Sequence, residues 1–447
     1  MDLEHIDLNE EFSRAYELME TTQKNIFITG KAGTGKSTLL RYFRKKTSKN
    51  VVALAPTGVA ALNIKGQTIH SFFRFRPDVT VESVKEIKIR KTQKKMYEHI
   101  DTIVIDEISM VRADLLDCID MFLQKYGKYK DLPFGGVQII LIGDLYQLPP
   151  VVTSHERDIF NQGHYASPYF FSAKSFKYLR VKTIELTKIY RQKEKFFINL
   201  LNAIRDNTAD DTHIRILNQR CKPDFKPKDQ DYYVYLTTTN DLADKINSAK
   251  LKELFSKSYF YEGQVTGEFE DKNLPTSAAV EVKSGAQIML LNNDPQGRWI
   301  NGTIGKVIDF VEDELTIRVQ LADNEEIVSV TPFTWEVYKF YYNEDIDALD
   351  SQLVGSFTQF PLRLAWAVTI HKSQGKTFPK VIVDIGYGTF SHGQTYVALS
   401  RCTSLAGLVL KRPIFKKHIM LDERIVKFMN QFKEDTDTLL SAQAEVS

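Results

Sequence analysis

Cysteine, long apolar runs and net charge are all scarce in this sequence of 447 residues. Its three cysteines, Cys118, Cys221 and Cys402, lie far apart, so their spacing predicts neither a disulfide framework nor a zinc site. Free thiols of this kind are typical of a reducing compartment. The longest apolar runs, such as residues 139–142, are only long enough for a β-strand, which excludes a membrane-spanning helix.

The sequence also lacks a recognisable targeting segment. A secretory signal begins with basic residues and an apolar core, and a mitochondrial transit peptide is poor in acidic residues. The first residues of this chain are acidic instead: Asp2, Glu4, Asp7, Glu10 and Glu11. We therefore expect a cytoplasmic protein.

The whole chain is nearly neutral, because 59 Lys and Arg residues are balanced by 57 Asp and Glu residues. Domains that coat nucleic acid are usually strongly basic. The balance argues against a protein that coats nucleic acid, and it indicates that positive charge facing a polyanion is local. A hydrophobic content of 43% is ordinary for a globular protein and excludes a disordered chain.

Short apolar runs alternate with helical patterns in the first 190 residues or so, which is typical of an α/β domain. Each run is continuously apolar and ends at turn residues, as expected for parallel strands covered on both faces. The predicted strands are residues 25–29, 51–55, 102–105 and 137–142. Residues 37–46 and 113–126 have helical periodicity.

A second α/β pattern follows later in the chain. Its predicted strands are residues 232–237, 363–369, 381–384 and 408–411. Residues 250–355 interrupt it with short strand-like runs separated by Gly, Asn and Asp, which predicts an all-β insertion, a small barrel. Residues 72–100 interrupt the first pattern. Their Lys- and Arg-rich stretch 85–95 is either a solvated helix face or a small insertion that touches a polyanion.

The strongest chemical signal is the segment 30–37, which matches G-x-x-x-x-G-K-[ST] between a predicted strand and a predicted helix. Its glycines let backbone N–H groups face phosphate oxygens at a helix N-terminus. Lys36 can reach the β- and γ-phosphates of a nucleotide, and the Ser37 hydroxyl can bind magnesium. A chance glycine-rich turn is the alternative, and it does not explain the flanking strand and helix.

Two later strands also end in polar residues. One is followed by Asp106, which suits magnesium, and by Glu107, which suits the polarisation of an attacking water. The other is followed by residues 143–150, in which Gln147 is placed to sense a γ-phosphate. Because parallel sheets bind ligands at the carboxyl ends of their strands, the three polar ends predict one nucleotide site.

Other residues suit a motor that acts on a polymer. Such a motor needs a positive charge from outside the P-loop domain, and Arg191 and Arg401 are candidates that spacing alone does not select. Residues 56–58, 68–73 and 369–375 combine hydroxyls, His, Lys and aromatic rings suited to phosphates and bases. Each segment has a plain structural explanation, but their shared position at strand ends favours a track for a polymer.

Together these residues resemble the superfamily-one DNA helicases of the Pif type (the petite integration frequency family), which are related to RecD-like helicases. The resemblance runs from about residue 5 to about residue 430, nearly the whole chain. The matching segments are residues 30–37, 55–61, 68–72, 106–110, 133–138, 143–150, 190–192, 365–375 and 396–401, and the pair Asn301-Gly302. The strings A-W-A-V-T-I-H-K-S-Q-G and Y-V-A-L-S-R are its most specific parts.

The resemblance implies an α/β fold with two RecA-like, P-loop-type motor domains built on parallel sheets. It also implies a short wedge inserted in the first domain, a barrel of the Src-homology-three type inserted in the second, and a frayed tail. The implied boundaries are 1–71 with 101–180 for the first motor domain, 72–100 for the wedge, 181–249 with 356–435 for the second motor domain, 250–355 for the barrel and 436–447 for the tail.

The resemblance implies ATP and magnesium as cofactors, and it selects Arg191 and Arg401 as arginine fingers. The implied catalytic residues are Lys36, Asp106, Glu107, Gln147, Arg191 and Arg401. The implied nucleotide contacts are Gly30, Ala32, Gly33, Thr34, Gly35, Lys36, Ser37, Thr38, Tyr190 and Gly375, with Ser37 and Asp106 as magnesium ligands. The implied single-strand contacts are Thr57, Gly58, His70, Ser71, Phe72, Asn240, Thr369, His371 and Lys372.

One departure from the family concerns the adenine base. The family usually has Leu-Ser or Leu-Asn, two further residues and then a Gln that reads adenine. Here Leu8-Asn9-Glu10-Glu11 is followed by Phe12. Gln23 or backbone groups remain as candidates for reading the base.

The resemblance implies an ATP-dependent DNA helicase that moves 5′ to 3′ on single strands, works as a monomer and serves genome maintenance. The chain resembles a bare catalytic core of bacterial or viral type. Its implied partners are single-stranded DNA and single-strand–duplex junctions, with no membrane; G-quadruplexes, forks and RNA–DNA hybrids are all family-type substrates. A DNA-stimulated translocase, or a P-loop ATPase that remodels a protein, is the alternative. A motor that releases its strand every cycle needs a narrow track, which agrees with the near-neutral charge.

Overall fold

The computed structural model describes residues 8–152, 159–160, 163–192, 194–270, 274–386 and 391–431. The helices within these ranges are α1 (Glu10–Thr21), α2 (Lys36–Lys46), α3 (Gly58–Asn63), α4 (Ile69–Phe73), α5 (Val81–Glu86), α6 (Lys91–Glu98), α7 (Ala113–Tyr126), α8 (Phe176–Leu179), α9 (Lys195–Arg205), α10 (Asp211–Asn218), α11 (Asn240–Glu253), α12 (Gln394–Leu399) and α13 (423–431). Within the described ranges, no helix combines the length and the apolar character needed to cross a bilayer.

The strands fall into five sheets. They are β1 (Ile26–Gly30), β2 (Val51–Ala55), β3 (Gln67–Thr68), β4 (Thr102–Ile105), β5 (Gln138–Ile142), β6 (Lys182–Leu186), β7 (Val234–Thr237), β8 (Ser258–Glu262), β9 (Gln264–Gly267), β10 (Ala279–Lys283), β11 (Gln287–Leu290), β12 (Ile304–Val311), β13 (Thr316–Leu321), β14 (Ile327–Val330), β15 (Phe333–Asn343), β16 (Ala348–Gln359), β17 (Leu362–Leu364), β18 (Ala367–Thr369), β19 (Val381–Val383) and β20 (Leu408–Leu410).

The first sheet is parallel throughout, with the strand order β3-β2-β4-β5-β1-β6. Strands β1, β4 and β5 are fully buried, which confirms the α/β prediction for this part of the chain. These three strands are neighbours, so their carboxyl ends lie side by side. The P-loop, the acidic pair and the segment 143–150 are therefore brought to one edge of the sheet, as expected.

A second parallel sheet has the order β18-β7-β19-β20 and its own apolar core, which gives the chain two α/β domains. The predicted strand 363–369 is in fact two strands. Residues 362–364 form β17, which pairs antiparallel with β11, whereas residues 367–369 form β18, which pairs with β7. The chain crosses from one sheet to the other between them.

Three predicted domain boundaries need correction. Strand β6 lies beyond residue 180 but pairs with β1 along its whole length, so it belongs to the first motor domain. Helix α13 also returns to the first domain, where Phe428 stacks on Phe171 with ring centroids 4.2 Å apart. The all-β insertion extends past residue 355, because β16 continues to Gln359 and β17 still pairs with β11.

The insertion consists of antiparallel strands in three sheets. One sheet has the order β14-β13-β12-β11-β17. In another, β9 pairs with β16, the second strand of the long hairpin β15–β16. This confirms an all-β insertion, while its likeness to a Src-homology-three barrel stays a prediction. The hairpin reaches the first motor domain, where Lys95 pairs with Glu344 and the His99 and Tyr342 rings lie 4.0 Å apart.

The wedge, residues 72–100, is largely helical and shares the core of the first motor domain. Tyr97 and Phe122 pack edge to face, with ring centroids 4.8 Å apart, and Val84 and Met96 join the same cluster. The basic stretch 85–95 is mostly exposed, and Lys94 pairs with Glu98 within its helix. These contacts favour a solvated helix face.

Candidate nucleotide site and nucleic-acid track

The P-loop connects β1 to α2 and needs glycine for two reasons. Gly33 and Gly35 have φ angles of 82° and 92°, in the left-handed region that favours glycine. A Cβ on Gly33 would also lie 2.4 Å from the Cβ of Arg191. The loop encloses Lys36, whose Nζ donates to the carbonyls of Gly30 at 2.7 Å and Lys31 at 3.0 Å. The lysine therefore occupies the curl where phosphate oxygens would bind.

Two carboxylates follow β4 at the same edge. Asp106 is buried, and its Oδ1 accepts the N–H of Glu107 at 2.9 Å. Burial, and then the charge of Glu107, raises the pKa of Asp106 to about 7. Burial also raises the pKa of Glu107, which Lys36, Arg401 and Arg191 oppose. Glu107 thus lies within electrostatic range of cations from the P-loop and from the second motor domain.

The segment after β5 is held by a buried ion pair. Asp144 accepts from Arg205 of α9 at 3.1 Å and from Gln147 Nε2 at 3.1 Å. Burial alone would raise the pKa of Asp144, but Arg205, Lys36 and these hydrogen bonds bring it below its usual value. The guanidinium of Arg205 also lies 3.9 Å from the centre of the Tyr146 ring. The Gln147 amide is therefore bonded to Asp144.

Residues of the second motor domain close over this edge. The Tyr396 hydroxyl accepts the N–H of Ala32 in the P-loop at 3.3 Å, and His392 Nε2 lies 2.9 Å from the carbonyl of Leu145. A Cβ on Gly393, where α12 begins, would lie 2.4 Å from the carbonyl of Gln147. The predicted site is therefore a cleft between the two domains.

The two candidate arginine fingers lie in this cleft. Arg191 donates to the carbonyl of Gly375 at 2.9 Å, and so joins the P-loop side to the second domain. Arg401 is 1% exposed. Its donors reach the Ser400 hydroxyl and the carbonyls of Val397, Ser373 and Lys376, at 2.8–3.3 Å. Burial, and then the charge of Arg191, lowers the pKa of Arg401 to about 9.

The remaining predicted nucleotide contacts lie along the P-loop. Ala32 and Thr34 are buried, whereas Ser37 is exposed at the first turn of α2 and Thr38 is half-buried. The Tyr190 ring is 46% exposed and lies 3.9 Å from the position of a Cβ on Gly35, beside the P-loop.

The structure shows where the candidate residues for adenine recognition lie. Phe12 is 5% exposed and packs in the apolar core of the first domain, with its ring 5.7 Å from that of Tyr42. Gln23 follows the far end of α1, about 20 Å along the helix axis from Asn9. Asn9 Nδ2 points to the Tyr190 hydroxyl at 3.5 Å. Gln23 therefore lies far from Tyr190, and the identity of the group that reads the base stays a prediction.

The predicted single-strand contacts divide into exposed and buried groups. Ser71, Asn240, His371 and Lys372 are exposed, and His70 and Thr57 are at or near the surface. Thr57 is the N-terminal cap of α3, and its hydroxyl accepts the N–H of Ala60. Gly58 is the first residue of the helix. Thr369 is buried, and its hydroxyl accepts the N–H of Lys372 at 3.2 Å.

The prediction that Phe72 contacts the single strand needs correction. It is 4% exposed and packs edge to face against Phe73, Tyr97 and Phe340. A ring enclosed by three other rings has no free face for a base, so Phe72 belongs to the core rather than to the track.

Three residues that the structure places at the nucleotide edge were missed by the sequence reasoning. Asp144 stands inside a matched segment, but its partner Arg205 is one of many arginines and lies 61 residues further on. Only the fold brings Arg205 to the nucleotide edge. Tyr396 also stands inside a matched string, but nothing in the string shows that it touches the P-loop.

Comparisons with known proteins agree with this geometry. The family model of PIF1-like helicases matches residues 7–215, and that of the UvrD-like helicase C-terminal domain matches residues 364–409. The ATP-dependent DNA helicase Pif1 of Bdellovibrio bacteriovorus is 32% identical to the chain, across 97% of this chain and 94% of the relative. The chain belongs to the PIF1-like helicases. As a member of this family it is an ATP-dependent DNA helicase, as predicted.

Solved structures of PIF1-like helicases have the same fold. The crystal structure of Bacteroides sp. Pif1 in complex with ADP-AlF4 matches with a TM-score of 0.88 at 36% identity, covering 96% of this chain and 98% of that one. Bacteroides Pif1 bound to single-stranded DNA matches over the same shares with a TM-score of 0.67. The larger relatives from Emericella nidulans, Xenopus laevis and human are matched over 58–62% of their length.

Proposed function

We propose that the chain hydrolyses ATP in the cleft between its motor domains and uses the cycle to move 5′ to 3′ along single-stranded DNA. The arrangement around Glu107 is the observation that carries this proposal. A carboxylate at a strand end of the first domain lies within electrostatic range of Lys36 of the P-loop and of Arg191 and Arg401. A nucleotide between these groups would draw the two domains together.

The proposed roles follow from the surroundings of each side chain. Glu107 polarises the attacking water, and Lys36 binds the β- and γ-phosphates in place of its present carbonyl partners. Arg191 and Arg401 stabilise the charge that develops on the γ-phosphate. Gln147, whose amide donates to Asp144 in this structure, senses that phosphate. Tyr190 packs beside the adenine.

Magnesium fits the residues present. The Ser37 hydroxyl and the Asp106 carboxylate are hard oxygen ligands of the kind that magnesium takes, and Mg²⁺ is usually bound with substrate phosphates rather than in an all-protein cage. When bound, the ion would neutralise charge on the phosphates.

The proposed partners are single-stranded DNA and its junctions with duplex, contacted by Thr57, Gly58, His70, Ser71, Asn240, Thr369, His371 and Lys372. G-quadruplexes and RNA–DNA hybrids are further proposed substrates, for a monomeric enzyme of the cytoplasm. Bacteroides Pif1, which has been solved bound to single-stranded DNA, is 36% identical to this chain.

Unwinding of tailed substrates tests the proposal. Duplexes with a 5′ tail, a 3′ tail, both tails or blunt ends are incubated with the full chain, ATP and magnesium, and strand release is followed by fluorescence. We expect release from 5′-tailed and forked duplexes and none from 3′-tailed or blunt ones. Unwinding from 3′ tails alone would contradict the proposed polarity. The rates of unwinding of 5′-tailed substrates that carry a G-quadruplex or an RNA–DNA hybrid, compared with that of the plain duplex, show which structure the enzyme prefers.

A further inference from the structure

The two candidate arginine fingers are held by one short loop, residues 373–376, which follows β18 in the second motor domain. In this finger loop, backbone carbonyls accept from Arg191 at 2.9 Å and from Arg401 at 3.2 and 3.3 Å. The accepting carbonyls are those of Gly375, Lys376 and Ser373. Because both guanidinium groups are bonded to the same four residues, a shift of the finger loop displaces both arginines.

The finger loop is closed at its base and open at its tip. The N–H of Lys376 donates to the carbonyl of Ser373 at 3.0 Å, which closes the turn. At the tip, Gly375 is exposed and has a φ of 74°, and a Cβ placed there would meet no described atom within 4 Å. A glycine in open space restrains the backbone little, so the position of the tip depends on what holds the neighbouring residues.

The all-β insertion holds one of these neighbours. Lys376 Nζ donates to Oδ1 of Asn301 in the insertion at 2.6 Å. The next residue, Gly302, has a φ of 107°, and a Cβ there would lie 3.3 Å from the Cβ of Lys376. The lysine side chain is therefore packed along the turn Asn301-Gly302 as well as bonded to it.

This turn is in turn fixed within the insertion. The N–H of Asn301 donates to Oδ1 of Asn293 at 2.9 Å, and the N–H of Gly302 donates to the carbonyl of Leu290, the last residue of β11, at 2.8 Å. The acceptor for Lys376 is thus tied to the sheet of the insertion. A displacement of the insertion would move the lysine and, with it, the finger loop.

We propose that Asn301 and Lys376 are positioning residues through which the all-β insertion sets the place of both arginine fingers. The proposal rests on the proposed function, in which Arg191 and Arg401 stabilise the charge on the γ-phosphate. Every predicted catalytic residue lies outside the insertion, yet the pair makes ATP turnover depend on where the insertion lies. A misplacement of about 1 Å at a reacting centre can cost about 100-fold in rate.

Steady-state ATP turnover tests the pair. The kcat and the KM for ATP are measured on the full chain with saturating oligo-dT, for the wild type, Asn301→Ala and Lys376→Met. We expect kcat to fall by about 10- to 100-fold in each variant. The KM should stay close to the wild-type value, because the P-loop is untouched. Asn324→Ala, which changes an exposed asparagine in another turn of the insertion, is the matched control and should leave kcat unchanged.

Two further variants separate positioning from a general loss of structure. Asn301→Asp keeps an oxygen acceptor for Lys376 and should retain most of the wild-type kcat. The double variant of Asn301→Ala with Lys376→Met should be no slower than the slower single variant, because residues that act through one bond are not additive. Thermal melts accompany every variant, and Asn301→Ala, at a half-buried turn, decides the matter if Lys376→Met folds poorly.

The possible outcomes distinguish this proposal from the proposed function. A normal kcat in either folded single variant overturns the positioning pair. So does a raised KM without a fall in kcat, an equal loss in Asn301→Asp, or a double variant in which the two losses multiply. Absence of ATP turnover in the wild type would instead overturn the proposed function itself.

Discussion

The first motor domain meets the rest of the chain in two places that are built differently. In the nucleotide cleft the contacts are buried and charged, such as the pair of Asp144 and Arg205, whose side chains are 0% and 4% exposed. At the wedge, the hairpin β15–β16 makes exposed contacts, such as the pair of Lys95 and Glu344, whose side chains are 50% and 65% exposed.

The difference shows which contacts of this protein tolerate substitution and which do not. A buried charge that loses its partner is left without solvent or counter-charge, so the cleft resists substitution. An exposed ion pair gains little over its hydrated partners, so the contact of the hairpin with the wedge tolerates change. We expect the effects of substitutions to follow this contrast, from the centre of the cleft outward.

The largest effect is expected for Lys36→Ala in the cleft. The variant loses the one P-loop side chain that reaches the phosphates, so kcat should fall by about 10³-fold or more, while affinity for single-stranded DNA stays close to the wild type. ATP turnover and oligo-dT anisotropy measure the two properties. Lys45→Ala, an exposed lysine on the same helix, is the matched control. Substantial residual turnover in Lys36→Ala would mean that the site lies elsewhere.

An effect of comparable size is expected for Arg401→Ala. An arginine finger contributes about 10³–10⁵ to kcat, so the variant should bind ATP but turn it over at least about 10³-fold more slowly. Fluorescent-nucleotide binding and steady-state turnover measure the difference.

Arg401 also hydrogen-bonds to three backbone carbonyls, so folding must be checked in the same experiment. A thermal melt close to that of the wild type assigns the loss to chemistry. Normal turnover in a folded Arg401→Ala variant would remove this residue from the finger role, and the same measurement on Arg191→Ala decides whether that arginine carries it instead.

Breaking the buried pair should cost stability. Arg205→Met leaves the Asp144 carboxylate buried and charged, and we expect a loss of about 3–5 kcal/mol in the free energy of unfolding. Urea denaturation measures it. The double variant Arg205→Met with Asp144→Asn removes the stranded charge and should recover part of this loss. A change below about 1 kcal/mol in the single variant would contradict the buried-pair interpretation.

The pH dependence of this difference is fixed by Asp144. Its pKa in the folded protein lies below the ordinary value of 3.8. The stabilisation is therefore fully present above the pKa of the unfolded chain and is lost only as the pH falls through the lower, folded value. The gap between wild type and Arg205→Met should narrow as the pH falls, because Asp144 in the variant keeps the burial that raises its pKa but loses Arg205, and so takes up a proton at a higher pH than in the wild type.

The smallest effect is expected at the hairpin. Glu344→Gln removes an exposed pair with Lys95, and the melting temperature should not change measurably. ATP turnover should also stay at the wild-type level. A clear drop in melting temperature would erase the contrast between the two regions and show that the contact of the hairpin with the wedge carries real energy.

The sequence alone predicts the parts of the molecule that follow from local pattern. Continuous apolar runs predicted the ends of four strands of the first sheet to within one residue, because a strand that is buried on both faces consists mainly of apolar residues. Strand β6 was missed, since its alternating burial resembles a surface segment. The P-loop and the acidic pair were found because phosphate binding requires a fixed local spacing.

Tertiary structure alone decided which distant residues meet. No local pattern brings Arg205 to Asp144 or Tyr396 to the P-loop, because each contact depends on how two domains pack. Packing also places Phe72 in the core, although the sequence predicted it for the track. Local spacing determines the motifs of this protein, whereas long-range packing brings the charged groups of the nucleotide cleft together from distant parts of the chain.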